Sequence, residues 1–164
     1  MVNPEVEYVE YNTGKGEIGK AGGLVYINDY NSELKGALVE IPESALDKTE
    51  TIEITAYNEP VPLDSNAVAV SFFPEGLQFN TNIRIGIPYS DDEPNPDSIR
   101  VYYFDPEDSR YEQLEIESVD ENKKIIYAYT NHFSTHIATG QKAVNCEIDY
   151  FKIDEGIGVR FQII

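Results

Sequence analysis

Two histidines and one serine are the residues whose types and spacing could most readily do chemistry. His132 and His136 are the only histidines of the chain, and they stand on either side of Ser134. A serine hydroxyl becomes a nucleophile when a neighbouring imidazole takes its proton, and one of the 30 acidic residues could orient that imidazole. However, Ser134 has no Gly-x-Ser-x-Gly elbow and no strand-turn-helix context. The pattern therefore does not favour a general serine hydrolase.

An acidic loop is the main candidate for a bound metal ion. Asp91, Asp92 and Asp97 lie within residues 90–97 and offer carboxylate oxygens, which Ca²⁺ binds in sets of 6 to 8. The loop lacks the Asp-x-Asp-x-Asp-Gly spacing of a calcium-binding loop, so these aspartates are weak candidates and a solvated turn is favoured. Two histidines and one cysteine are too few for a closed structural zinc site. We expect no cofactor.

The charge balance limits the partners. The chain of 164 residues has 30 acidic and 12 basic residues and a formal net charge of −18. Phosphate backbones and anionic membranes attract clustered Lys and Arg, so we expect no nucleic-acid partner. No run approaches the roughly 20 apolar residues that cross a bilayer, and the N-terminus has no signal-peptide pattern, so we expect no membrane insertion. Protein partners or neighbouring domains of the same polypeptide are the expected contacts.

The elements that would position these residues are short β-strands. Apolar side chains alternate with polar ones over several runs, for example at Ile83, Ile85 and Ile87, which gives each strand one buried and one solvated face. Polar connections at residues 105–108 and 119–122 suggest antiparallel neighbours. Helical periodicity is almost absent, apart from a short turn near Pro42. We predict an all-β protein, an antiparallel β-sandwich with short strands and at most one or two helical turns.

The chain divides into three parts by composition. Residues 1–21 are polar and contain glycine, residues 22–140 carry the alternating strands, and residues 141–164 follow a Gly-Gln-Lys break. Strand-like alternation returns at Val159, Phe161 and Ile163. This last part therefore either packs on the sandwich as added strands, which we favour, or begins a neighbouring module.

Four segments, in order, resemble the ZU-five domain family, a β-sandwich found in ankyrins, netrin receptors and many bacterial surface proteins. Gly22-Gly23 begins a strand, residues 36–46 read GALVEIPESAL, residues 73–79 read FPEGLQF, and His132-Phe133-Ser134 closes the series. Together they cover residues 22–140. The resemblance implies the sandwich fold that the strand pattern also predicts. Its order and spacing are more specific than any one of the four motifs.

The resemblance also implies a reaction. In self-cleaving members of the family, the peptide bond between Phe and Ser of His-Phe-Ser is broken by the protein itself. Carried over to this chain, Ser134 would be the nucleophile, Phe133 would supply the scissile carbonyl and His132 would be the general base. A positioned base contributes about 10²- to 10⁴-fold, so the fold must also strain the peptide or place hydrogen-bond donors near the developing oxyanion.

A second interpretation of the same tripeptide is purely structural. His132 would be a hydrogen-bonded residue at a strand end, Phe133 a core anchor and Ser134 a hydrogen-bonding hydroxyl. On this interpretation, we expect the chain to be a structural or interaction module of a larger surface or secreted protein. It would lie outside the cell or on its surface, and self-cleavage at Phe133–Ser134 would be an additional property. No multiple-turnover enzyme is expected.

Two further functions stay open as alternatives. One is obligatory self-processing at Phe133–Ser134 that leaves two fragments held by β-pairing. The other is carbohydrate binding on a platform of tyrosines. The tyrosines concerned are Tyr26, Tyr30, Tyr57, Tyr89, Tyr102, Tyr103, Tyr127 and Tyr129.

Overall fold

The described residues form fourteen β-strands and no α-helix. The structure is a computed structural model that describes residues 7–57, 67–90, 98–105, 110–139, 146–153 and 156–163. The strands are β1 (Val9–Tyr11), β2 (Lys15–Ile18), β3 (Gly23–Tyr26), β4 (Leu38–Ile41), β5 (Glu50–Ala56), β6 (Val68–Phe73), β7 (Gln78–Pro88), β8 (Arg100–Asp105), β9 (Arg110–Gln113), β10 (Ile116–Asp120), β11 (Ile125–His132), β12 (Thr135–Thr139), β13 (Cys146–Ile153) and β14 (Gly156–Ile163).

Twelve of these strands form two six-stranded sheets, which confirms the predicted all-β sandwich. Sheet 1 has the strand order β1-β3-β4-β7-β11-β10, and sheet 2 has the order β2-β5-β6-β12-β8-β9. All neighbours within the two sheets pair antiparallel except β1 and β3, which pair parallel. Among the described strands, sheet 2 is therefore fully antiparallel, and sheet 1 has one parallel pair at its edge.

Alternation along the strands builds the core between the sheets. Ile83, Ile85 and Ile87 of β7 are fully buried, as the period-two pattern predicts, while Arg84 points to the other face, where it pairs with Glu117 of β10. Phe72 of β6 contributes a large buried ring from sheet 2. Burying such side chains removes apolar surface from water, which is the main favourable term in folding.

The predicted connections between neighbouring strands are also found where the structure describes them. β10 and β11 pair antiparallel around residues 121–124, and β8 pairs antiparallel with β9, with Asp105 opposite Arg110. The turn that joins β8 to β9 falls mostly on residues 106–109, which lie outside the described residues. Near Pro42 the chain makes a single turn, with the Ala45 N–H donating to the Pro42 carbonyl.

The N-terminal boundary of the sandwich differs from the one drawn on the sequence. β1 pairs with β3 in sheet 1, and β2 pairs with β5 in sheet 2, so each sheet receives one strand from residues 9–18. The sandwich therefore begins before Gly22. These strands are only three and four residues long, and Lys15 and Glu17 of β2 are exposed, so the segment looks polar although Ile18 is fully buried.

The C-terminal strands form a hairpin of their own. β13 and β14 pair antiparallel over eight residues each, from Cys146 opposite Ile163 to Ile153 opposite Gly156. The alternation near the C-terminus thus does mark a strand. The hairpin is a separate two-stranded sheet and adds no strand to sheet 1 or sheet 2, in contrast to the strand addition that we favoured.

Candidate self-cleavage site

The His132-Phe133-Ser134 tripeptide is the place where the chain crosses from one sheet to the other. His132 is the last residue of β11 in sheet 1, and Thr135 is the first residue of β12 in sheet 2. Only Phe133 and Ser134 lie between the two strands, and both are buried. Since sheets pack about 10 Å apart, this short connection holds the two layers together at one end of the sandwich.

Phe133 is a core anchor, as the structural interpretation expects. Its side chain is fully buried. Its ring stacks on Phe72 of sheet 2 at a centroid distance of 5.5 Å and meets Phe79 of sheet 1 edge-on at 4.9 Å. Such offset and edge-to-face pairs add about 0.5–1.5 kcal/mol each beyond the area that they bury. The tripeptide therefore stabilises the fold whether or not it is cleaved.

The carbonyl of the candidate scissile bond has a backbone donor. The Gly76 N–H donates to the Phe133 oxygen over 3.1 Å, and the Phe133 N–H donates to the Leu77 oxygen over 2.9 Å. Gly76 occupies the third position of a turn closed by the Leu77 N–H on the Pro74 oxygen, and its φ is 76°. Positive φ at that position favours glycine. The turn thus supplies one of the oxyanion donors that the reaction requires.

The candidate scissile bond shows neither a cis peptide nor a residue in the left-handed conformation, which are two common forms of backbone strain. Among the described residues the cis bond is Phe73–Pro74, and the positive-φ residues other than glycine are Ser44 and Lys124. Phe133 and Ser134 are therefore joined by a trans peptide, and neither has a positive φ. Of the two aids that a general base needs, the site has a hydrogen-bond donor and lacks this form of strain.

His132 presents one ring nitrogen that is free to take a proton. Its Nδ1 lies 3.0 Å from the Asn131 Oδ1, and because an amide oxygen only accepts, Nδ1 carries the hydrogen in this arrangement. Nε2 is then the unprotonated nitrogen. It is buried and has no hydrogen-bond partner among the described residues, so it does not bond the Ser134 hydroxyl directly. Catalytic contacts are often loose before the reaction begins, so this gap does not exclude a base.

Burial keeps His132 neutral. Its ring packs against Tyr103 of β8 with centroids 4.5 Å apart. Burial lowers the pKa of His132, and the carboxylates of Glu112 and Asp105 partly oppose that effect. Despite the net charge of −18, the local environment therefore favours the neutral imidazole that a general base must be.

His136 holds the residue on the other side of the scissile bond. It is fully buried in β12, and its Nδ1 lies 3.2 Å from the Ser134 carbonyl oxygen, which also accepts the Phe72 N–H at 3.2 Å. Burial, and then the proximity of His132, lower the pKa of His136 to about 3, against the opposing effect of its hydrogen bond to Ser134. Sequence reasoning considered His136 only for a hydrolase triad, whereas the structure makes it a positioning residue for Ser134.

The hydrolase arrangement itself is not formed. His136 Nδ1 faces the Ser134 carbonyl, and His136 Nε2 is buried without a hydrogen-bond partner among the described residues. The hydrogen bond between an imidazole nitrogen and the serine hydroxyl that a triad requires is therefore not formed by His136 Nε2. A periodic pattern could not reveal this, because it does not show which histidine nitrogen meets which oxygen.

A cavity of about 320 Å³ lies beside the candidate scissile bond. It gives room for water, which the reaction needs to hydrolyse the ester that the acyl shift would form. Two carboxylates, Glu75 and Asp105, stand on its wall. The complete lining is Glu75, Gly76, Gln78, Tyr103, Asp105, His132, Phe133 and Ser134.

The tyrosines do not form one exposed platform. Tyr102 and Tyr127 are buried, and the Arg84 guanidinium lies 3.9 Å over the Tyr127 ring centroid, which blocks one face of that ring. Tyr127 and the half-buried Tyr26 line a cavity of about 620 Å³. Tyr30 is 83% exposed, and the Lys35 ammonium sits over its ring. The exposed Tyr30 and the buried Tyr102 and Tyr127 therefore do not share one stacking surface.

The weak calcium candidates Asp91, Asp92 and Asp97 lie outside the described residues. Within the described part of the chain, no group of three or more His, Cys, Asp or Glu side chains is arranged to hold a metal ion. No helix among these residues is long and apolar enough to span a bilayer.

Two comparisons with known proteins assign this chain to no family. A scan against models of protein families finds no match to this chain, and a search of curated proteins finds none either. The resemblance to the ZU-five family therefore rests on the four segments quoted above.

Proposed function

We propose that this chain is a structural or interaction β-sandwich module of a larger surface or secreted protein, and that it cleaves its own Phe133–Ser134 bond once. The observation that carries the proposal is the Gly76 N–H bonded to the Phe133 carbonyl oxygen at a crossover that also holds a neutral His132. Support for the module comes from the two-sheet fold.

The proposed reaction is an acyl shift followed by hydrolysis. The Ser134 Oγ attacks the Phe133 carbonyl carbon, and the hydroxyl proton passes to His132 Nε2. The Gly76 N–H stabilises the negative charge that develops on the Phe133 oxygen. The carbon–nitrogen bond then breaks, and the proton on His132 returns to the departing Ser134 amine. Water next hydrolyses the ester, giving a Phe133 carboxylate and a free Ser134 hydroxyl.

The magnitudes favour a slow reaction. A general base contributes about 10²- to 10⁴-fold, and one oxyanion donor about 10²- to 10³-fold. Neither a cis peptide nor positive φ at the scissile bond adds to these factors. In addition, His132 must rotate, or act through one water, before its Nε2 reaches the Ser134 hydroxyl, because no direct hydrogen bond joins them. Cleavage over hours to days is therefore expected, rather than immediate processing.

Cleavage would leave the sandwich assembled. β12 follows the cut and lies inside sheet 2, where it pairs with β6 on one side and β8 on the other. The Ser71 hydroxyl also bonds the Thr135 hydroxyl at 2.9 Å, next to the new N-terminus. A central strand with two neighbours does not leave without opening the core. The two fragments of a nicked chain are therefore expected to stay together through β-pairing.

Incubation followed by two separations tests the proposal. We expect wild-type protein to yield two bands on a denaturing gel, and to elute as one species under native conditions. Ser134→Ala should give one band. Equal fragmentation of Ser134→Ala and wild type would overturn the mechanism, and separate native elution of two fragments would overturn the intact-module part.

A further inference from the structure

The half-buried imidazole of His132 and the fully buried imidazole of His136, from opposite sheets, lie close together at the crossover. His132 ends β11 in sheet 1, His136 lies in β12 of sheet 2, and their ring centroids are 6.3 Å apart. Both Nε2 atoms are buried, and neither has a hydrogen-bond partner among the described residues. A buried polar atom without a partner has lost its hydrogen bond to water with nothing in exchange, so a pair of them in one place requires an explanation.

The other nitrogen of each ring is already paired with an oxygen. His132 Nδ1 meets the Asn131 amide oxygen at 3.0 Å, and His136 Nδ1 meets the Ser134 backbone carbonyl at 3.2 Å. Both oxygens only accept, so both hydrogens belong on Nδ1 and both Nε2 atoms offer a lone pair. Metal-binding histidines are held in this way, because the ring N–H on the far side donates to a carbonyl or carboxylate.

We propose that His132 and His136 together bind one imidazole-preferring transition-metal cation, such as Zn²⁺, through their Nε2 atoms. Imidazole nitrogens suit zinc, copper and nickel, whereas Ca²⁺ and Mg²⁺ prefer oxygen ligands. Zn–N distances of about 2.0–2.1 Å place the centroids of two imidazoles on one ion about 5 Å apart at a tetrahedral angle and about 6.5 Å apart at a linear one. The observed 6.3 Å lies near the linear end of this span, so the two rings must approach each other by about 1 Å to hold an ion at a tetrahedral angle.

The rest of the coordination shell comes from water. No third His, Cys, Asp or Glu joins the pair among the described residues. The neighbouring cavity of about 320 Å³, which His132 also lines, has room for water ligands and has the carboxylates of Glu75 and Asp105 on its wall. Those negative charges offset part of the cost of placing a cation there. The site is therefore an open, two-histidine site and not a closed structural one.

Metal binding would regulate the reaction. A cation on His132 Nε2 occupies the lone pair that must accept the Ser134 proton, so bound Zn²⁺ would stop self-cleavage. This consequence rests on the proposed function, whereas the binding itself does not. Removing the metal with a chelator should then start cleavage in a stored sample.

The binding test uses untagged Ser134→Ala protein, which keeps the chain intact. Because the chain has two histidines, long-range ¹H–¹⁵N spectra resolve each imidazole without ambiguity. Before metal is added, we expect both rings to carry hydrogen on Nδ1. Adding Zn²⁺ should shift both Nε2 signals at one equivalent, and Mg²⁺ should shift neither. Zn²⁺ that leaves both Nε2 signals unchanged, or moves only one of them, would overturn the site.

Two variants at the exposed Asn131 test the geometry, and His136→Leu removes the buried ligand. Asn131 is exposed, so Asn131→Ala should fold while losing the oxygen that holds His132 Nδ1. Loss of such a supporting bond lowers metal affinity about 10- to 100-fold, as calorimetry would measure. Asn131→Asp keeps an oxygen acceptor and should bind Zn²⁺ nearly as well as the parent. Equal affinity of the parent, Asn131→Ala and His136→Leu would mean binding at surface carboxylates only and would refute the proposal.

These outcomes separate the two proposals. If wild type never cleaves but both imidazoles bind Zn²⁺, the proposed function fails and the metal site stands. If wild type cleaves at the same rate with Zn²⁺ and with chelator, and the imidazole signals do not move, the metal site fails and the proposed function stands.

Discussion

The backbone N–H of Gly76 donates a 3.1 Å hydrogen bond to the carbonyl oxygen of Phe133. The two residues are 57 positions apart in the chain, and the contact joins a tight turn before β7 to the crossover between the sheets. It is the same carbonyl whose oxygen would become negative during self-cleavage. Packing and chemistry therefore depend on the same turn, and substitutions can separate their effects.

Replacing Gly76 tests the turn. A Cβ at Gly76 would meet no atom within 4 Å, so the cost of Gly76→Ala comes from its φ of 76° and not from a clash. We expect a loss of about 1–2 kcal/mol in the free energy of unfolding. Gly76→Asn should lose less, because Asn tolerates this conformation better. Urea denaturation measures both, and a greater loss in the Asn variant would contradict the turn geometry.

Phe133→Ala tests the role of the crossover as a core anchor. The side chain is fully buried between Phe72 and Phe79, so its removal leaves a cavity. We expect a loss of about 3–5 kcal/mol in unfolding free energy, measured in the Ser134→Ala background to keep the chain intact. Tyr30→Ala, at a ring that is 83% exposed and contacts the Lys35 ammonium, is the control and should change stability by less than about 1 kcal/mol. Similar losses in both variants would argue against the packing described.

The lowered pKa of the buried His136 leads us to expect that the fold loses stability in acid, in metal-free buffer. Its folded pKa is about 3, below the ordinary 6.5, so between these values the unfolded chain binds a proton that the folded chain does not. Stability should therefore fall as the pH is lowered from about 6.5 towards 3, by at most about 5 kcal/mol from this group. The aromatic neighbours of its ring are Phe72, Tyr103 and His132, and burial lowers the pKa of His132 as well.

The control for this prediction is His136→Leu. Other acidic groups contribute to the pH dependence in both proteins, so the difference between wild type and variant isolates the histidine. Denaturation at several pH values should give a shallower acid slope for His136→Leu, whatever its stability at neutral pH. Parallel slopes would show that His136 is not buried as a neutral ring.

The pH profile of self-cleavage reports on His132. Burial lowers its pKa, so the rate should rise with pH through a midpoint below 6.5 and then level off near neutrality. Glu112 raises the pKa of His132, and its side chain is exposed, so Glu112→Gln should fold and move the midpoint to lower pH. Fragment yield over time provides the rates. A midpoint above 6.5, or one that Glu112→Gln raises, would contradict the environment described for His132.

The strand pattern was predictable because it depends on neighbours in the sequence. The burial of Ile83, Ile85 and Ile87 follows from period-two alternation alone. The edge strands β1 and β2 were harder to predict, because they are too short to show an alternating pattern and β2 exposes both Lys15 and Glu17. The C-terminal alternation predicted a strand correctly but could not say that, among the described strands, β14 would pair with β13 and join neither large sheet.

The candidate site was only partly predictable. The tripeptide could be found by its residue types, and the burial of Phe133 agrees with the structural interpretation of it. The bond from Gly76 could not be foreseen, because a turn motif does not reveal which distant carbonyl its N–H will meet. The role of His136 was missed for a related reason. Its polar ring takes an inward position of β12, where the alternation would predict an apolar residue.

Intact-mass spectrometry of purified wild-type protein, followed over days at neutral pH with chelator present, tests the central claim most directly. We predict that the full-length mass near 18.5 kDa declines while two fragments appear, one ending at Phe133 and the other starting at Ser134. Ser134→Ala should keep the full-length mass throughout. A wild-type chain that stays whole under the same conditions would contradict self-cleavage and leave His132-Phe133-Ser134 as a packing junction between the two sheets.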